Sequence, residues 1–80
     1  RFLMLGVGLV VEDSAAIGIV EAKSALYRDV IITTIAQQPL EALSAPMKRD
    51  SLRMTLLRRI RRVAPRPQIR GLLFSQYVIQ

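Results

Sequence analysis

Eighty residues with twelve basic and six acidic side chains, a net charge of +6, and neither cysteine nor histidine make one small domain at most. Without cysteine no disulfide or thiolate metal site can supplement the core, and without histidine the commonest metal ligand and general acid/base is missing. A chain this short buries only about 60% of its unfolded surface, so its own core is marginal.

Arg1 to Val11 reads as a strand rich in leucine and valine. Leu3, Leu5, Val7, Leu9 and Val11 share one face, and Phe2, Met4, Gly6, Gly8 and Val10 the other. Gly6 and Gly8 lack side chains on one face, where another backbone is expected to approach closely. No third glycine follows at the dinucleotide-binding spacing, and no Gly-Lys-Ser/Thr closes a phosphate loop. This is also the longest apolar run, and it falls short of the roughly 18 residues a membrane-spanning helix needs. Because Arg1 opens within a strand pattern, the chain reads as part of a longer protein whose anchoring signal lies upstream.

Glu12-Asp13-Ser14 ends the strand and offers a helix N-cap. From Ala15 to about Gln38, apolar residues recur at helical spacing, with Glu21, Ser24, Arg28 and Asp29 opposite. Val30 to Ile35 is a run of six β-branched residues that locally favours strand. The helical period runs through it without a turn residue, so the spacing predicts helix. Pro39 stops this helix, and Leu40-Glu41-Ala42-Leu43 forms a short helical connector. Ser44 is the expected N-cap of a second long helix, with Pro46 in its first turn. Leu52, Leu56, Ile60 and Val63 line one stripe of that helix, and Lys48, Arg58, Arg59, Arg61 and Arg62 spread over the rest.

Pro65 ends the helix, and Ile69 to Gln80 reads as the closing strand. Simple alternation puts Ile69, Leu73, Tyr77 and Ile79 on one face, and Leu72, Phe74 and Val78 on the other. A strand apolar on both faces belongs centrally in a sheet packed on each side. The fold class is therefore α+β: a small antiparallel sheet, strands about 1–11 and 69–80, with two long helices on one face. Two strands make too small a sheet, so a third is expected from upstream chain or a neighbouring subunit. Residues 1–80 form a single domain.

Little here can carry catalysis. The acids are scattered over helix faces and ends, the serines have no histidine to activate them, and both tyrosines sit in apolar patterns. No catalytic, cofactor-binding or metal-ligating residue is assigned, no cofactor is expected, and the chain reads as a non-enzyme. Charge is the feature that asks for a partner. Residues 1–45 hold three basic side chains against five acids, net −2, whereas residues 46–80 hold nine against Asp50 alone, net +8. Arg53, Arg58, Arg59, Arg61 and Arg62 are the partner-binding candidates, with Arg66 and Arg70 nearby. An acidic protein, an anionic membrane surface or nucleic acid could meet them, and a merely solvated face is the plain alternative. No aromatic residue is interleaved to stack on bases and no helix-turn-helix or zinc spacing is present, so nucleic acid is not expected. A basic nucleic-acid-binding module stays as the rival reading.

The ending Gly71-Leu72-Leu73-Phe74-Ser75-Gln76-Tyr77-Val78-Ile79-Gln80 resembles the C-terminus of the flagellar basal-body FliL family. The family's usual form there is a valine-rich strand, then Phe-Thr-acid-Phe-Val-(Val/Ile)-Gln. Arg1-Phe2-Leu3, Arg28-Asp29-Val30-Ile31 and Leu40-Glu41-Ala42-Leu43-Ser44 are similar to family segments in the same order. The resemblance implies a stomatin-like periplasmic domain of a single-pass inner-membrane protein, anchored by a helix upstream. It also implies self-assembly into a ring around the flagellar stator proteins, stabilising their ion-conducting form and so supporting motility. A stomatin-like membrane scaffold without a flagellar role is the remaining alternative.

Overall fold

A computed structural model describes residues 2–80. The elements run β1 (Leu3–Val10), α1 (Ser14–Ala22), α2 (Ser24–Ala36), α3 (Leu40–Ser44), a 3-10 turn (Pro46–Lys48), α4 (Arg49–Val63) and β2 (Gly71–Ile79). The strands pair antiparallel, from Leu3 opposite Ile79 to Val10 opposite Gly71. The fold is thus α+β with the expected antiparallel sheet.

The pairing slips once. Gly6 faces Gln76 but Val7 faces Phe74, so Ser75 is left over as a β-bulge. One inserted residue reverses the alternation beyond it. Leu72 and Phe74 before the bulge, and Tyr77 after it, consequently join the same core. The Phe74 and Tyr77 rings meet edge to face, 5.3 Å between centroids. Strict alternation had put Phe74 and Tyr77 on opposite faces, and the bulge corrects that.

Nor is the sheet covered on both sides. Among the described residues it has two strands, so β2 pairs only with β1 and is not central. Met4, Val10, Leu73 and Val78 on its outer face are each at least 40% exposed. On that face the two glycines accommodate side chains rather than another backbone. A Cβ on Gly6 would collide with Ser75 Oγ, and one on Gly8 would lie 2.9 Å from Leu73 Cδ1.

Helix starts and stops differ from the periodic reading in instructive ways. Asp13 is the N-cap of α1: its backbone is extended and its carboxylate accepts from the Ala16 amide at 3.0 Å. The expected continuous helix breaks at Lys23, whose backbone leaves the helical region. There the Lys23 amide bonds to the Val20 and Ile19 carbonyls together, a tightened last turn. The Lys23 ammonium meanwhile donates to the Arg66 carbonyl. The β-branched run is helical throughout, within α2. Ser44, the expected cap, instead closes α3; Ala45 is the extended residue, and Pro46 opens the 3-10 turn that leads into α4.

The core forms where α4 lies on β2 and α2 packs on α4. Leu56, Ile60 and Ile69 are fully enclosed, with Tyr27, Leu52, Leu57, Ala64 and Leu72 around them. Each enclosed aliphatic side chain contributes about 1.5–3 kcal/mol relative to exposure. Val63, expected on this stripe, is half exposed at the helix end, and Ala64 turns inward in its place. Among the described residues no helix is long and apolar enough to cross a membrane.

Candidate partner-binding surface

The five candidate arginines do not form one free stripe. Three are committed to the fold. Arg53 donates through Nε and Nη2 to Asp50 Oδ1, at 3.1 and 2.5 Å, and through Nη1 to the Leu72 carbonyl. Arg59 reaches from α4 to α2, where its Nη1 donates to Gln37 Oε1 at 2.5 Å. It also approaches the hydroxyl of buried Thr34, which itself donates to the Val30 carbonyl. Arg61 donates from Nε to the Ile69 carbonyl at 2.8 Å and from Nη2 to the Arg70 carbonyl at 3.2 Å. Those bonds fasten the end of α4 to the residues entering β2. A guanidinium suits this work because its fork offers several donors in one plane.

Arg58 and Arg62 are different. Both are exposed, and neither has an acidic partner among the described residues. Arg58 has only a 3.5 Å contact to Thr55 Oγ1, at the limit of a hydrogen bond. One turn apart on the same helix, the two charges reinforce each other's field and repel by a few tenths of a kcal/mol. Arg66 is exposed in the following loop, while Arg70 is paired with Glu12 at 2.8 Å. Of the five candidate arginines the structure thus leaves Arg58 and Arg62 free, with exposed Arg66 in the following loop.

Two features escape sequence reasoning. Arg49 stacks on Tyr77, its guanidinium carbon 4.3 Å from the ring centroid, and the Tyr77 hydroxyl donates to the Leu43 carbonyl. The second is an apolar groove of about 760 Å³ beside β1. Leu3, Leu5 and Val7 form one wall, and Tyr27, Ile31 and Ile35 the other. The Tyr27 hydroxyl is buried without a hydrogen-bond partner. Tyr27, Ile31 and Ile35, four residues apart on α2, were the available signal. Among the described residues no cluster of histidine, cysteine, aspartate and glutamate is placed to hold a metal ion.

No curated protein matches the chain. A family model, described as flagellar basal body-associated protein FliL, matches residues 1–80. With the α+β fold in place and the whole length matched, the chain belongs to the flagellar basal body-associated FliL family, and its role is that of a flagellar basal-body accessory.

Proposed function

We propose that this domain is a non-enzymatic accessory of the flagellar motor that assembles with copies of itself around the stator and stabilises its ion-conducting form. The observation that carries the reading is the family match over residues 1–80. The domain then lies in the periplasm, held to the inner membrane by a helix outside these residues. A passive collar acts by binding one stator state better than another, since only differential affinity moves an equilibrium.

Arg58 and Arg62 are the proposed contact with an acidic neighbour, a stator protein or an adjoining subunit. Their exposure and lack of an internal partner support this assignment. Arg53, Arg59 and Arg61 serve the fold and are not suitable probes of it. In the motile cell, Arg58→Gln with Arg62→Gln is expected to reduce swimming speed and stator retention while the protein accumulates normally. Unchanged swimming in that variant would reject the arginine surface, and unchanged swimming on deletion of the whole gene would reject the accessory role.

A further inference from the structure

The side of α4 that carries Arg58 and Arg62 runs back toward the start of the helix and ends in a notch. Lys48, Ser51, Thr55, Arg58 and Arg62 follow one another at steps of three and four residues, so they form one row along the helix. Lys48, Ser51 and Thr55 line one side of the notch, a cavity of about 190 Å³, and Gln38 and Ala42 line the other. No aspartate or glutamate lines it. Asp50, in the first turn of α4, is held by Arg53.

Lys48, Arg58 and Arg62 are all exposed, and none has an acidic partner among the described residues. Thr55 donates its hydroxyl proton to the Ser51 carbonyl. The Lys48 ammonium and the Ser51 hydroxyl, both on exposed residues, are thus open donors at the notch. Sites that enclose whole small molecules run to about 300–1,000 Å³, so this one takes a single functional group. An ammonium and a hydroxyl with no acid beside them suit a carboxylate, whose oxygens accept from both.

We propose that this row binds an extended acidic polypeptide segment of a protein partner, with one carboxylate seated in the notch at Lys48 and two more on Arg58 and Arg62. The inference rests on the arginine contact proposed above and gives its chemistry. Spacing favours an extended chain. Along the helix axis Arg58 and Arg62 are about 6 Å apart, and Lys48 is about 15 Å beyond Arg58. In an extended segment, residues two apart lie about 6.6 Å from each other on one face, and residues four apart about 13 Å. Long side chains absorb the remaining difference. A partner helix would need an apolar groove for its apolar face, and this row is polar throughout. No aromatic side chain lies in the row to stack on bases, which disfavours a nucleic-acid strand.

The test titrates the protein at low salt with a capped ten-residue peptide, glutamate at positions 2, 4 and 8 and serine or threonine elsewhere, and follows backbone amide shifts by NMR. Shifts are expected at Ser51, Thr55, Arg58 and Arg62, fading as salt rises. A peptide of the same composition with its three glutamates adjacent should bind about threefold more weakly or worse. Lys48→Gln removes one exposed pair and should weaken the matched peptide about two- to fivefold. Ser51→Glu puts a carboxylate at the notch from the first turn of α4, where the helix dipole favours an acid. That variant should unfold no sooner than the parent and lose about tenfold or more in affinity. Equal binding of both peptides, no effect of Lys48→Gln, full binding by Ser51→Glu, or tighter binding of a ten-nucleotide thymidine strand would each overturn the proposal. Slower swimming of the Arg58/Arg62 variant without peptide binding would overturn this inference alone. Peptide binding with unchanged swimming would support it and overturn only the use of this surface in the motor.

Discussion

Tyr77 and Leu43 are joined by a 2.6 Å hydrogen bond from the phenol to the backbone carbonyl, which fastens the last strand to α3. The same ring carries the Arg49 guanidinium on its face and meets Phe74 at its edge. One side chain thereby links β2, α3 and the start of α4.

Burial raises the Tyr77 phenol above its ordinary value of 10.0, and the nearby Arg49 charge works in the lowering direction without cancelling it. A folded pKa above the unfolded one means that the folded state holds the proton more tightly. The associated stability is fully present below the unfolded value and is lost as pH rises through the folded one. Tyr77→Phe is expected to cost about 0.5–1.5 kcal/mol at neutral pH, by loss of the bond to Leu43. The stability gap between parent and variant should then shrink above about pH 10. Urea unfolding of both proteins across that range checks it, and a gap that stays constant or widens would be the contrary result.

On the outer face, Gly8 lies under the Leu73 side chain, whose Cδ1 would be 2.9 Å from an added Cβ. Gly8→Ala is expected to destabilise by about 1 kcal/mol, at the low end for overpacking because Leu73 can move part of the way. Leu73→Ala removes the obstacle, and Leu73 is half exposed, so its own loss is small. The double variant should therefore be more stable than the sum of the single effects allows. Strict additivity in a double-mutant cycle would show that the two side chains do not compete for this space.

Ile60, on the inner face of α4, is fully enclosed in the core. Ile60→Ala is expected to cost about 2–5 kcal/mol, from lost transfer energy and the cavity left behind. In a domain this small, that is a large part of a total of about 5–15 kcal/mol. Thermal unfolding by circular dichroism should show a drop of many degrees or no cooperative transition. A shift of only a degree or two would place Ile60 outside the cooperative core.

Patterns carried by neighbouring residues were legible; relations between distant ones were not. The alternation from Leu3 to Val11 and the helical period through Val30 to Ile35 each declare an element, and the acid-rich turn at Asp13 declares a start. The bulge at Ser75 does not, because Leu-Phe-Ser-Gln-Tyr is compatible with unbroken alternation and only pairing with Gly6 and Val7 reveals the extra residue. Ser44 has the chemistry of a cap, yet whether it caps depends on where the preceding turn ends. The arginines were the hardest to sort. Arg61 and Arg62 are adjacent and identical in type, but only Arg61 faces the Ile69 and Arg70 carbonyls. Backbone acceptors leave no trace in sequence, so no spacing rule distinguishes a fastening arginine from a free one. The groove is likewise a relation between β1 and α2, assembled only by the fold.

That division among the arginines gives the sharpest test of the surface assignment. Arg61→Gln removes two charge-assisted bonds to backbone carbonyls at the junction of α4 with the entry to β2. Partial exposure lets water replace some of that interaction, so a loss of about 1–2 kcal/mol is expected. Arg58→Gln with Arg62→Gln removes no internal ion pair and relieves a like-charge pair one turn apart. Its stability should stay within about 0.5 kcal/mol of the parent or rise slightly. Denaturant unfolding of the two variants side by side measures the contrast, at low and high salt. The Arg58/Arg62 variant should lose the parent's salt-dependent gain, since screening relieves the repulsion only where both charges remain. If the two variants were equally destabilised, all of these arginines would be structural, and the positive face of α4 would hold no free charge for a partner.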